Sequence, residues 1–282
     1  MEILADPFRF EFFRNGLVVA AIAGGLCALV GTYVVQRNMS YIGHGLSHAI
    51  FGGAVASFLV GINFFLGAGV WGVASALMIN RVARRRTIGA DAAIGVITTA
   101  SFALGIALIS RSGGFTRNFE AALFGSVLGV QAVDVLVIAI VAIAVSATIV
   151  ALYRPLLFLT FDPEVADVFG VPTGRLDALF SLLLAATIIA TMQILGVTLI
   201  AAALVIPPVI ARLLTDRFRT MLGLAVLIGT ASGFTGMYLS FYLDISSGPA
   251  IVLTQGSLFA VAYIVTGGQR KRFRRLAGVV TH

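Results

Sequence analysis

Charge is what this chain has least of. Only 11% of its 282 residues are Asp, Glu, Lys or Arg, against roughly 25% in an ordinary soluble domain. That scarcity excludes a water-exposed globular surface. Lysine is reduced to Lys271, which sits in a basic stretch with no glycine-rich loop before it. A P-loop needs its lysine to reach the nucleotide phosphates, so ATP hydrolysis by that route is excluded. Cysteine is reduced to Cys27, inside the first apolar run, which rules out an internal disulfide and a multi-cysteine metal site. Neither a GxSxG elbow nor a HExxH helix is present, so a membrane enzyme has no motif to support it. The opening MEILADPFRFEFFRNG lacks the basic start and cleavage site of a signal peptide and is expected to be retained.

What the chain has in abundance is apolar sequence. It is 59% hydrophobic with a mean hydropathy of +1.04, and its charge-free runs reach the roughly 20 residues that cross a bilayer. A lipid-facing barrel would instead alternate in segments of about 10 residues. The composition therefore predicts an all-α polytopic membrane protein, a single transmembrane unit over 1–282 without a soluble domain. Spans are expected near 17–36, 42–60, 64–80, 90–110, 131–153, 178–195, 196–214, 221–242 and 249–266, giving eight or nine. The last two of the 178–214 stretch would meet at a tight turn near Gln193–Gly196, with Met192 and Gln193 as loop residues. Residues 1–16, with Phe8, Phe10, Phe12 and Phe13 among charges, read as an interfacial segment, and 116–130 as a short re-entrant or interfacial helix.

The net charge of +7 sits in short clusters between spans, the pattern of cytoplasmic loops rather than of a nucleic-acid surface. With the Arg81, Arg84, Arg85 and Arg86 loop inside, alternation places Arg37, Arg154, Arg175, Arg212, Arg217, Arg219 and the basic tail 268–282 inside too. Arg9, Arg14, Arg111 and Arg117 fall outside. The C-terminus is then cytoplasmic, and nine spans put the N-terminus outside. Small residues stack on helix faces at Gly45, Ala49, Gly52 and Ala56, and at Gly229 and Gly233, where helices can approach closely.

Against this background a few polar residues stand out. His44 and His48 lie four apart on one helical face of the second span. Ionisable groups inside a membrane are costly and usually face a protein interior or a polar pathway. Two readings are open: imidazoles bonded to neighbouring helices, or nitrogen donors to a passing transition metal. Asp91, Asp134 and Asp177 fall near span ends and read as interface residues, with Asp134 a further pathway candidate. In TFDPEVADVFGVPTGRLD, Asp162 suits an N-cap, Pro163 a first turn, Gly170 a helix end and Pro172 a stop. The loop 160–176 thus predicts a two-turn cytoplasmic helix, either a plain connector or a docking helix. Pro207 and Pro208 interrupt a span and predict a kink, static or gating.

FDPEVADVFGVPTGRLD resembles the coupling segment of ABC-importer permeases, and ILGVTLIAAALVIPPVIARLL (194–214) is similar to the Pro-containing span of the ABC-3 metal-ion permeases. YIGHGLSHAIFGG resembles that family's second-span motif, which commonly has an aspartate where this chain has His44; Ser47, His48 and Ala49 match. The resemblance implies the permease subunit of an ABC importer for zinc, manganese or iron, in a prokaryotic cell membrane, with no stably bound cofactor. It implies a cytoplasmic ATPase, an extracytoplasmic metal-binding protein and a second permease copy as partners. His44 and His48 would meet the ion, while Asp162, Glu164, Ala166, Gly170 and Val171 would shape the ATPase contact. Imidazole in place of carboxylate favours zinc or iron over manganese. Rival expectations are a permease for iron chelates and a membrane-bound haem or metal enzyme.

Overall fold

The computed structural model describes residues 6–83, 90–111, 123–126 and 129–277. Arg84, Arg85, Arg86, Arg117 and most of the expected 116–130 helix lie outside the described residues, as do 278–282 and the side chains of Asp91 and of 268–277.

Backbone polar groups have no water to bond to in hydrocarbon, so a spanning segment must satisfy them internally, as helices do. Among the described residues every regular element is helical: α1 (Glu11–Gln36), α2 (Ser40–Leu59), α3 (Phe64–Ala83), α4 (Ala90–Arg111), α5 (Ala132–Ala151), α6 (Tyr153–Phe161), α7 (Pro163–Val168), α8 (Thr173–Leu195), α9 (Ile200–Leu214), α10 (Phe218–Leu243) and α11 (Ser247–Ala277). Eight of these are long and apolar enough to cross a membrane, and α9 is a shorter apolar helix of 15 residues.

Eight of the nine expected spans are helices long enough to cross, and the expected 196–214 span is the shorter α9. The elements around them differ from expectation in places, and helix begins within 1–16. After a 3-10 turn at Asp6–Arg9 the first span begins at Glu11, and Phe13 is fully buried, edge-on to Phe241 at 5.2 Å. A helix that was not expected, α6, precedes α7; Pro155 is tolerated because it falls in its first turn, where no intrahelical donor is required. Met192 and Gln193 are not loop residues but the last turn of α8, and the break falls at Gly196, whose φ of +75° suits glycine. The basic tail is also more regular than its composition suggests, since α11 continues to Ala277.

Glycine sets the packing. A methyl group at Gly229 would overlap the Gly24 carbonyl, and one at Gly233 the Ala20 carbonyl, so α1 and α10 lie backbone to backbone. On α2, Gly52 meets the Ser101 carbonyl of α4 in the same way. Two groups result, α1 with α9, α10 and α11, and α2 with α3 and α4, bridged by α8. One end of the bundle carries α6 and α7, tied together by Arg37 with Asp177, Arg212 with Gln36 (2.8 Å) and Phe161 on Phe218. At the far end, Ser246 donates to the carbonyls of Phe124 and Gly125, Ser126 N–H to that of Gln193, and Ser247 to that of Ile194. Helices alternate between these ends, so Glu11 and Ala277 finish on opposite sides.

Candidate metal pathway and coupling foot

Helix α2 places the two histidines one turn apart with ring centroids 4.4 Å apart and nearly perpendicular. Phe102 of α4 packs edge-on against His48 at 4.5 Å, and Tyr41 lies 5.9 Å from His44. Ser47 donates to the His44 carbonyl (2.8 Å), so its hydroxyl is spent inside the helix. His48 Nδ1 is buried with no hydrogen-bond partner. An orphaned buried nitrogen calls for an explanation, and a transient ligand supplies one.

Helical geometry places this pair. At 100° per residue, Gly43 faces Leu204 of α9, Gly45 faces Ile94 and Thr98 of α4, and Gly53 faces Trp71 of α3. His44 and His48 therefore project between α4 and α9, on the side of α2 away from α3. Both remain partly buried, with Tyr41 exposed beside them. Among the described residues no group of three or more His, Cys, Asp or Glu could hold a metal ion. The two imidazoles therefore stand as a pair, without a third side chain of these types beside them among the described residues.

Asp134 is brought elsewhere. It forms a capping box at the far end of the bundle, accepting from Gln131 N–H (2.8 Å) and from Gln193 Nε2 (3.4 Å). Pro207 and Pro208 lie buried inside α9.

At the opposite end, α7 forms as its sequence requires. Asp162 Oδ1 accepts from Val165 N–H (3.0 Å), Pro163 occupies the first turn, and Val171 N–H closes the helix on the Ala166 carbonyl (3.0 Å). Gly170 has a φ of +77° with open space around it, so the backbone alone demands glycine there. Ala166 is fully buried, whereas Val168 and Phe169 are 85% and 75% exposed beside the exposed Glu164. Val168 and Phe169 thus form an exposed apolar knob on a capped helix, the kind of patch that marks interaction sites.

Sequence reasoning missed the tether behind this foot. Arg37, in the α1–α2 turn, donates to Asp177 at the start of α8 and lies over the Phe180 ring at 5.1 Å. Nothing local pairs residues 140 positions apart. Beneath α7 a cavity of about 300 Å³ is lined by Arg37, Asn80, Thr160, Asp177 and Ser181 among apolar residues. Ile42 borders it, on the face of α2 opposite to His44, so the cavity is not in line with the ring pair.

Eight helices long and apolar enough to cross a bilayer define a polytopic membrane protein. The sequence profile of the ABC 3 transport family matches residues 9–266, and the chain belongs to that family. It is 37% identical over 260 residues to the manganese transport system membrane protein MntC of Halalkalibacterium halodurans, covering 92% of this chain and 89% of that one. It is 33% identical to the chelated iron transport system membrane protein YfeC of Yersinia pestis, covering 93% and 89%. Among solved structures, PsaBC from Streptococcus pneumoniae in complex with Fab superposes with a TM-score of 0.83 at 30% identity, covering 93% of this chain and 95% of the matched one. The chain is a multi-pass protein of a prokaryotic cell membrane.

Proposed function

We propose that this chain is the permease subunit of an ABC importer for a divalent first-row transition-metal ion, with His44 and His48 touching the ion as it passes. The buried, unpartnered Nδ1 of His48 beside the His44 ring is the observation that carries this reading. MntC and YfeC, as named, are transport-system membrane proteins for manganese and for chelated iron, which supports a metal cargo. Two imidazoles without a neighbouring carboxylate favour zinc or iron over manganese. A bulky chelate would leave a one-turn imidazole pair without use.

The chain works as half of a pathway. A second copy faces the histidine-bearing side of α2, a cytoplasmic ATPase docks on Glu164, Val168 and Phe169, and an extracytoplasmic binding protein delivers the ion to the far end. ATP-driven closure pushes α7 and, through Asp177 and Arg37, the start of α2. Each access state must differ in its contacts with nucleotide or ion for the equilibrium to move.

The test is uptake by cells expressing the chain with its ATPase, across zinc, iron and manganese. Replacing both His44 and His48 by Ala is expected to abolish uptake while ATPase co-purification survives. Undiminished uptake at limiting metal removes the histidines from the pathway, and faster uptake of manganese than of zinc or iron overturns the preference.

A further inference from the structure

Gln255 lies eight residues into α11, is fully buried, and has no hydrogen-bond partner for either Oε1 or Nε2. A buried amide with neither end bonded is costly, and more so inside a bilayer, so its retention needs a reason. Its neighbourhood offers one. Helix α11 packs along α9 and α10. Helices α9 and α11 start from the same end, since Ser247 donates to the Ile194 carbonyl just before the α8–α9 break. At a rise of about 1.5 Å per residue, Gln255 stands about 12 Å into α11 and Pro207 about 10 Å into α9.

Pro207 and Pro208 lack the N–H groups that would bond the carbonyls of Ala203 and Leu204. The Leu204 carbonyl is turned against Gly31 of α1, where a methyl group would overlap it. Pro207 removes the i+4 donor of the Ala203 carbonyl, which makes that oxygen the candidate acceptor. A long helical side chain leans back toward its own N-terminus, which carries the Gln255 amide from the level of Pro207 toward that of Ala203.

We propose that Gln255 is a positioning residue for α9: its amide bonds the backbone freed at the proline pair in one access state and releases it in the state seen here. The inference rests on the transporter reading above, but it concerns the moving helix and not the cargo. In the released state the buried Gln255 amide has no partner, so its bonding favours the other state unless other contacts offset it.

The experiment uses the full permease with its ATPase in membranes and compares wild type, Gln255→Met, Pro207→Ala and the double variant. Methionine keeps the shape and removes the polar atoms; alanine at 207 returns the N–H and withdraws the acceptor. Gln255→Met is expected to slow uptake by about three- to tenfold, the weight of one hydrogen bond, while the melting temperature is unchanged or higher. The double variant is expected to be no slower than the slower single one. In wild type, hydrogen exchange of peptides from 200–214 is expected to differ between nucleotide-free and ATP-trapped complexes, and in Gln255→Met that difference is expected to shrink. Unchanged uptake and exchange in Gln255→Met, a joint fall in turnover and melting temperature, or additive single effects would each overturn the proposal. The exchange readout needs no particular cargo, so an error in the metal assignment appears as absent metal uptake with the exchange difference intact.

Discussion

The Arg37 guanidinium is spent on two partners at once, the Asp177 carboxylate and the Phe180 ring, and its side chain is only 11% exposed. An ion pair at that depth is best understood through what its loss leaves behind. Removing one partner leaves the other charge without its ion-pair partner in a poorly hydrated place, at about 3 kcal/mol, whereas removing both restores much of the balance. Arg37→Ala is therefore expected to lower the melting temperature of the purified permease more than the double variant with Asp177→Ala does. Equal losses in the single and double variants would show that the pair is incidental to stability. His44 and His48 stood out because imidazoles are rare in apolar runs. Arg37 did not, because a span-end arginine is explained by orientation alone, and its carboxylate partner lies 140 residues away.

At the scale of the element, α7 shows how far six residues can be specified. The Asp162 cap, the Pro163 start and the Gly170 stop were all legible, because each answers a local backbone requirement. The helix α6 before it was not, since Arg154 and Pro155 look like loop residues until the first-turn position excuses the proline. The beginning of α1 was hidden in the same way by Glu11 and Arg14. Because Ala166 anchors α7 while Phe169 and Glu164 face outward, docking separates from folding. Phe169→Ser and Glu164→Arg are expected to abolish co-purification with the ATPase and its stimulated hydrolysis while leaving the permease's melting temperature within a degree or two, as surface changes do. Normal co-purification would reassign α7 as a plain connector.

For the whole molecule, the alternation of helices makes orientation a single binary quantity. Hydropathy fixed the spans because hydrocarbon imposes one solution on every backbone segment, whereas the pairing of α1 with α10 through Gly24 and Gly229 is a matter of shape that composition does not encode. If 15 of the 19 basic residues mark the cytoplasmic face, α7 and the end of α11 lie there, and the α2–α3 turn lies outside. The chain is convenient for testing this, as its one cysteine, Cys27, is buried and can be replaced by Ala. On that background a cysteine at Val168 is expected to react with a membrane-impermeant maleimide only in inverted vesicles. A cysteine at Ile62, 54% exposed in the α2–α3 turn, is expected to react only in right-side-out cells. The reverse pattern would place α7 where no cytoplasmic ATPase can reach it, and a foot on the wrong side of the bilayer could not drive the pathway.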